Sequence, residues 1–323
     1  MERLEQRFPV PGWLHADRAV AGIFVTLFLA NLLAAIARMA GIGLAWWEGA
    51  LAAAVLAAAL VARNAADLKA AGAFPPGDRS SPFRFTPLVF AIGALTGAVL
   101  LSVLSDYRYD RLCHYALANG ILRGNLPVHD LAWPSRLLPY HYSFDLLAAL
   151  IAKALRSAGW AMPTETALDL ASGMSVACLL VSAALLLHAV AAAGGRRYPA
   201  TSEIAAALLL LVSGGGMLHL GRAAGWDLSP WSRFEYDVFH PLLQYVGRRA
   251  AVPGQAVFLL LFSRLTLLMA GRLRLSRWMA AELVAFFALL ALTAEELCVA
   301  LLCLPVSGAC SGAQGRARRR SCW

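Results

Sequence analysis

The sequence predicts an all-α fold: a polytopic integral membrane bundle of about eight transmembrane helices, with amphipathic interfacial helices in its first long external loop. Three observations carry this. Hydrophobic residues make up 60% of the 323-residue chain and charged residues only 15%, which no ordinary soluble domain shows. The apolar residues gather into runs near the roughly 20 residues that a bilayer crossing needs. The net charge of +9 is spread so that most basic clusters fall on one side of a simple up-and-down threading.

The spans are expected at about Ala19–Ala37, Leu44–Ala62, Thr86–Leu104, Ala167–Val190, Glu203–Leu220, Gly254–Gly271 and Trp278–Ala294. A short Leu297–Ala309, about 13 residues long, closes the series. A mixed-charge stretch, MERLEQRFPVPGWLHADR, precedes the first run and lacks a small-residue cleavage site, so that run does not read as a signal peptide. With the N-terminus in the cytoplasm, Arg63, Lys69, Arg79, Arg84, Arg196, Arg197, Arg272, Arg274 and Arg277 all lie inside. This requires that Tyr142–Leu155, which carries Asp145 and Lys153, lie at the interface rather than span. The charge distribution thus favours a membrane topology over nucleic-acid binding.

Residues 1–309 form a single transmembrane domain, with external loops at about 105–166 and 221–253. The stretch AAGAFPPGDRSSPFRF (70–85) is a cytoplasmic connector. Residues 310–323 form a basic Arg/Gly/Ala tail, and two readings of it stay open. It is either a solvated cytoplasmic tail or a frame-shifted end that truncates further helices. Six cysteines occur without a CxxC pair, and Cys178, Cys298 and Cys303 lie in apolar runs as small buried thiols do.

Ser105 to Asp145 form a polar island with four carboxylates (Asp106, Asp110, Asp130, Asp145), three histidines (His114, His129, His141) and four arginines. Ionisable groups gathered at a membrane face are costly to desolvate and mark candidate sites. From Asp106 to about Gly120 the pattern suits an amphipathic helix. Tyr109, Leu112 and Ala116 share one face, while Asp106, Asp110 and His114 recur on a neighbouring one. The Asp/His spacing also reads as a surface contact. His129 and His141 read as interfacial or hydrogen-bonding groups, and Asp145 as the start of the next helix. The Tyr- and Trp-rich WPSRLLPYHYSF suits the interface, which places the loop on the membrane surface.

The order D…D…H, a helix ending in ILRGNLP, then HD and a Tyr-rich PYHYSF before an apolar helix resembles the first external loop of GT-C glycosyltransferases. These are polytopic enzymes that transfer sugars from lipid-phosphate donors. The resemblance covers roughly residues 86–305 in layout, and its motifs lie mostly within 105–145. It implies that Asp110 or Asp106 is the catalytic base and that Asp130 assists. A carboxylate can draw the proton from an acceptor hydroxyl and stabilise an oxocarbenium-like centre. The chain is shorter than members of that family, which continue through more helices or carry a C-terminal external domain.

The leaving lipid phosphate needs cationic donors, and arginine binds phosphate oxygens in pairs. The second loop supplies Arg222, Arg233, Arg248 and Arg249 beside Trp226, Trp231 and Tyr245. Arg233 and Arg248 are the candidates for the phosphate, although Arg248 and Arg249 also suit anionic headgroups. Glu295, next to Glu296, is either a substrate-facing acid or part of a turn between helices. Glu48 reads as an interface residue, and His188 and His219 as structural. Arg264, inside a span, either snorkels or neutralises an internal acid.

The expected function is therefore an inverting membrane glycosyltransferase. It moves a sugar from a polyprenyl-phosphate donor to a glycan, lipid or protein acceptor. The expected location is a bacterial inner (plasma) membrane, with the site facing the periplasm. Asp110 is the base, Asp106 or Asp130 the supporting acid, and His114 and His141 are polar contacts to substrate. No metal-ligand set is read; a divalent metal is compatible with the clustered acids but not required. Two rivals stand beside this: a transporter or lipid flippase, and an inactive truncated GT-C-like fragment.

Overall fold

The computed structural model describes residues 12–73, 108–129, 142–196 and 252–293, with backbone alone for residues 12 and 108–112. Among the described residues seven helices form and no strand does. They are α1 (Gly12–Met39), α2 (Trp46–Ala70), α3 (Arg108–Leu122), α4 (Ser143–Ser157), α5 (Thr164–Ala193), α6 (Val252–Met269) and α7 (Arg277–Thr293). Four of them, α1, α2, α5 and α6, are long and apolar enough to cross a membrane. They coincide with the first, second, fourth and sixth expected spans. A helix, α7, covers the seventh expected span, but at 17 residues it is not among the four long and apolar enough to cross. The expected spans Thr86–Leu104, Glu203–Leu220 and Leu297–Ala309 lie outside the described residues.

Helices α1 and α2 form an antiparallel hairpin. Gly41, at φ +66°, takes the left-handed turn that a side chain would resist. The amide of Ile42 then donates to the Ala37 carbonyl at 2.8 Å and that of Gly41 to Arg38 at 3.1 Å, satisfying the last carbonyls of α1. The Glu48 carboxylate accepts the Ala45 amide at 3.3 Å where α2 starts. The buried stripe of α2 is mostly alanine: Ala50, Ala53, Ala57, Val61, Ala65 and Leu68. Such small side chains let two helix backbones approach closely, which drives association where lipid removes the hydrophobic incentive. Leu51, Val55 and Leu56 on the other side of α2 are exposed.

Helices α5 and α6 pack extensively and run in the same direction. Trp13 near the start of α1 meets His188 near the end of α5, with ring centroids 5.0 Å apart. The turn after α6 also reaches the end of α5, because Arg272 lies beside Gly195. A tight turn at Gly271 then leads to α7, whose first turn is capped by Ser276. The Ser276 hydroxyl accepts the Met279 amide at 3.2 Å and donates to the Asp67 carboxylate of α2 at 3.1 Å. One end of the bundle therefore gathers the start of α1, the ends of α2, α5 and α6, and the start of α7.

Two expectations change. Helix α1 starts at Gly12 rather than near Ala19, so Asp17 and Arg18 lie within it instead of in a flanking tail. Helix α4 packs its first half inside the bundle, every residue from Ser143 to Ala149 being buried, where a helix lying open on the surface was expected. Its first half inserts between other helices and carries its one acidic side chain inside, where that group needs a partner.

Candidate functional site at the His114–Asp145 pair

Helix α3 begins at Arg108 and ends at Leu122, where Gly124, at φ +98°, turns the chain. Of the side chains described on α3, His114, Leu117, Ala118 and Ile121 are buried, a spacing that marks one helix face. The histidine-bearing face therefore packs inward. Its partner is Asp145 in the first turn of α4, whose Oδ1 lies 2.8 Å from His114 Nδ1. His114 is 2% exposed and Asp145 0%, so this contact sits in a low-dielectric environment. Phe144 closes one side, its ring edge-on to the imidazole at 5.3 Å.

Burial alone would make an aspartate here expensive. The imidazole offsets that cost by placing an N–H against one carboxylate oxygen, and the start of α4 adds the positive end of a helix dipole. With Nδ1–H donating to the carboxylate, Nε2 carries the lone pair of the ring. A carboxylate that orients an imidazole and raises its basicity is a recurrent device in proton-transfer sites. Here it also ties α3 to α4.

A polar seam joins these two helices to α5. Thr164, the first residue of α5, donates its hydroxyl to Asn119 Oδ1 of α3 at 2.9 Å. It accepts from Arg156 Nη2 of α4 at 3.1 Å, and Arg156 Nε donates to the Met162 carbonyl at 3.0 Å. In the turn after α3, Asn125 Oδ1 accepts the His129 amide at 3.1 Å. Tyr142 just before α4 has its phenol pushed above the ordinary tyrosine range by burial, partly opposed by a backbone hydrogen bond at Val128. Lys153 of α4 stands over the ring of Trp47 at the start of α2, 5.5 Å from its centroid. Helices α3 and α4 thus pack as a pair, with the second half of α4 reaching the start of α2.

A cleft of about 580 Å³ opens between α1, α2 and α4. Its walls include Gly22, Thr26, Ala58, Leu147 and Leu150, with Arg18 at its edge. Leu147 and Leu150 extend from the same helix that carries Asp145.

Of the residues singled out in the sequence, His114 is placed with its side chain, and Asp110 lies on α3 one helical turn before it. Asp106, Asp130, His141, Arg233, Arg248 and Glu295 lie outside the described residues. Among the described residues no group of three or more His, Cys, Asp or Glu is arranged to hold a metal ion.

A second cluster forms around Arg264, whose partners the sequence reading did not name. Arg264 of α6, 1% exposed, donates from Nη2 to Asp17 Oδ1 of α1 at 2.6 Å and from Nε to Glu282 Oε1 of α7 at 3.1 Å. Asn64 of α2 donates to Glu282 Oε2 and to the Trp278 carbonyl. Of the two readings of Arg264, the structure selects neutralisation. Part of the signal was present: an arginine in the middle of an apolar run demands an acid at the same depth, and Glu282 interrupts a neighbouring run, whereas Asp17 stands just before the first one. The chain matches no protein-family profile, no characterised protein and no solved structure.

Proposed function

We propose that this chain is a membrane glycosyltransferase that moves a sugar, with inversion, from a polyprenyl-phosphate donor to a glycan, lipid or protein acceptor at the non-cytosolic face. The observation that carries this reading is the buried His114–Asp145 contact, which locks the acid-bearing helix α3 to α4. A catalytic base must be held in position, and a site built on a packed helix holds it better than a loop does. Asp110, on that helix, is the base, with Asp106 or Asp130 in support. His114 is a positioning residue, and His141 contacts the substrate. Arg233 and Arg248 take the phosphate, and Glu295 faces the acceptor. The largely apolar cleft between α1, α2 and α4 suits a lipid chain.

The acceptor hydroxyl loses its proton to the Asp110 carboxylate as its oxygen attacks the anomeric carbon. The bond from that carbon to the lipid-phosphate oxygen breaks, and the arginines compensate the charge left on the phosphate. The test is a sugar-transfer assay on the purified chain in lipid with Asp110→Asn. A fall of about 10²-fold or more is expected for loss of a general base. Transfer at the wild-type rate removes Asp110 from that role.

One observation favours the transporter reading: the Asp17–Arg264–Glu282 cluster buries charge inside the bundle, as transport proteins do. Substrate-dependent flux through liposomes carrying the chain, unaffected by Asp110→Asn, would select it.

A further inference from the structure

Two carboxylates share one guanidinium at the Asp17–Arg264–Glu282 cluster, and all three residues are 1% exposed. Arginine does not release its proton in proteins, so with both acids ionised the three-residue cluster would carry a net negative charge in a low-dielectric setting, which Arg18 beside Asp17 offsets least of the acting charges. The hydrogen bonds distinguish the two acids. Both oxygens of Glu282 accept, Oε1 from Arg264 and Oε2 from Asn64. The Trp278 carbonyl also takes the Asn64 amide nitrogen, which fixes the orientation of that amide. Asp17 accepts at Oδ1 alone, and among the described residues its Oδ2 has no partner. Asn64 Oδ1, on a residue that is 0% exposed, also lacks one.

We infer that Asp17 is a proton-binding site: Glu282 is the ionised partner of Arg264, and Asp17 stands as a neutral carboxylic acid with its proton on Oδ2. The charged groups acting on Asp17 are Arg264 from α6, Glu282 from α7 and Arg18 of its own helix. From α2 the cluster receives Asn64, which is uncharged and bonds Glu282, while Asp67 accepts from Ser276. His188 of α5 lies against Trp13, a turn away. The ligand is a single proton, taken up as COO⁻ plus H⁺ giving COOH. The site lies near the end of the bundle where α1 begins, so its occupancy follows the pH on that side.

The test is infrared spectroscopy of the full chain in lipid, with Asp17→Asn and Glu282→Gln beside it. At neutral pH the wild type shows the carbonyl stretch of a protonated carboxyl that Asp17→Asn removes, and the band disappears on raising the pH. Asp17→Asn unfolds at the wild-type Tm, because an amide oxygen replaces the single acceptor Arg264 uses there. Glu282→Gln has a lowered Tm, because it sets an NH₂ against a donor. A band indifferent to Asp17→Asn overturns the assignment. So does an Asp17→Asn chain that fails to fold, since that outcome means the guanidinium requires an ionised Asp17.

Discussion

Arg264 and Asp17 stand 247 positions apart in the chain and meet at 2.6 Å inside the bundle. Their contact, with the Arg264–Glu282 bond, draws α1, α6 and α7 together at the end where α1 begins. Removing one member of a buried ion pair leaves its partner charged and unpaired, a cost of about 3–5 kcal/mol. Arg264→Met is therefore expected to lower stability by that amount in thermal or denaturant unfolding in detergent. Arg264→Lys recovers only part of it, since an ammonium lacks the fork that spans the carboxyl groups of Asp17 and Glu282.

His114→Ala is expected to cost about 1–3 kcal/mol, because it strips a buried carboxylate of a donor. On the glycosyltransferase reading it also lowers kcat in the sugar-transfer assay, through displacement of α3. Double-mutant cycles with Asp145→Asn check that the two residues act as a pair: the combined loss is smaller than the sum of the single losses.

Tyr142 makes stability depend on alkaline pH. Burial raises its pKa above the ordinary 10.0, so the fold prefers the neutral phenol. That preference is fully present below the unfolded-state pKa. As pH rises above about 10 the unfolded chain ionises first, and stability falls until the folded pKa is passed. Tyr142→Phe removes this part of the alkaline loss, seen as a shallower decline of Tm with pH.

Cys113 on α3 is exposed, and Cys178 inside α5 is buried. In a variant retaining Cys113 alone, a membrane-impermeant maleimide added outside intact cells is expected to label it. A variant retaining Cys178 alone stays unlabelled. Labelling of Cys113 only from the cytosolic side would reverse the topology on which the proposed function depends.

The turn at Gly41 tests the α1–α2 hairpin. A side chain at φ +66° costs about 1–2 kcal/mol, so Gly41→Ala lowers Tm although nothing lies within 4 Å of the added carbon.

The four helices able to cross a membrane were legible because length and hydropathy are local properties, readable without knowing any neighbour. The island's first helix was legible too, at Arg108–Leu122 against an expected Asp106–Gly120. Its inward face was not. Asp106, Asp110 and His114 read as a polar face, yet His114 is buried, because Asp145, 31 residues on, supplies the partner that makes burial tolerable.

By itself, the order of residues determined a helical chain with runs apolar enough to cross a membrane, and a segment, Ser105–Asp145, that mixes acids, histidines and arginines. Tertiary structure decided which ionisable groups go inside and what meets them there. Asp17 read as a flanking charge and Asp145 as a helix start, and Glu282 was not singled out. Each is buried because a cation, an imidazole or an amide from another helix meets it. The free energy of a buried charge is set by its partners, and no window of sequence contains partners that lie on other helices.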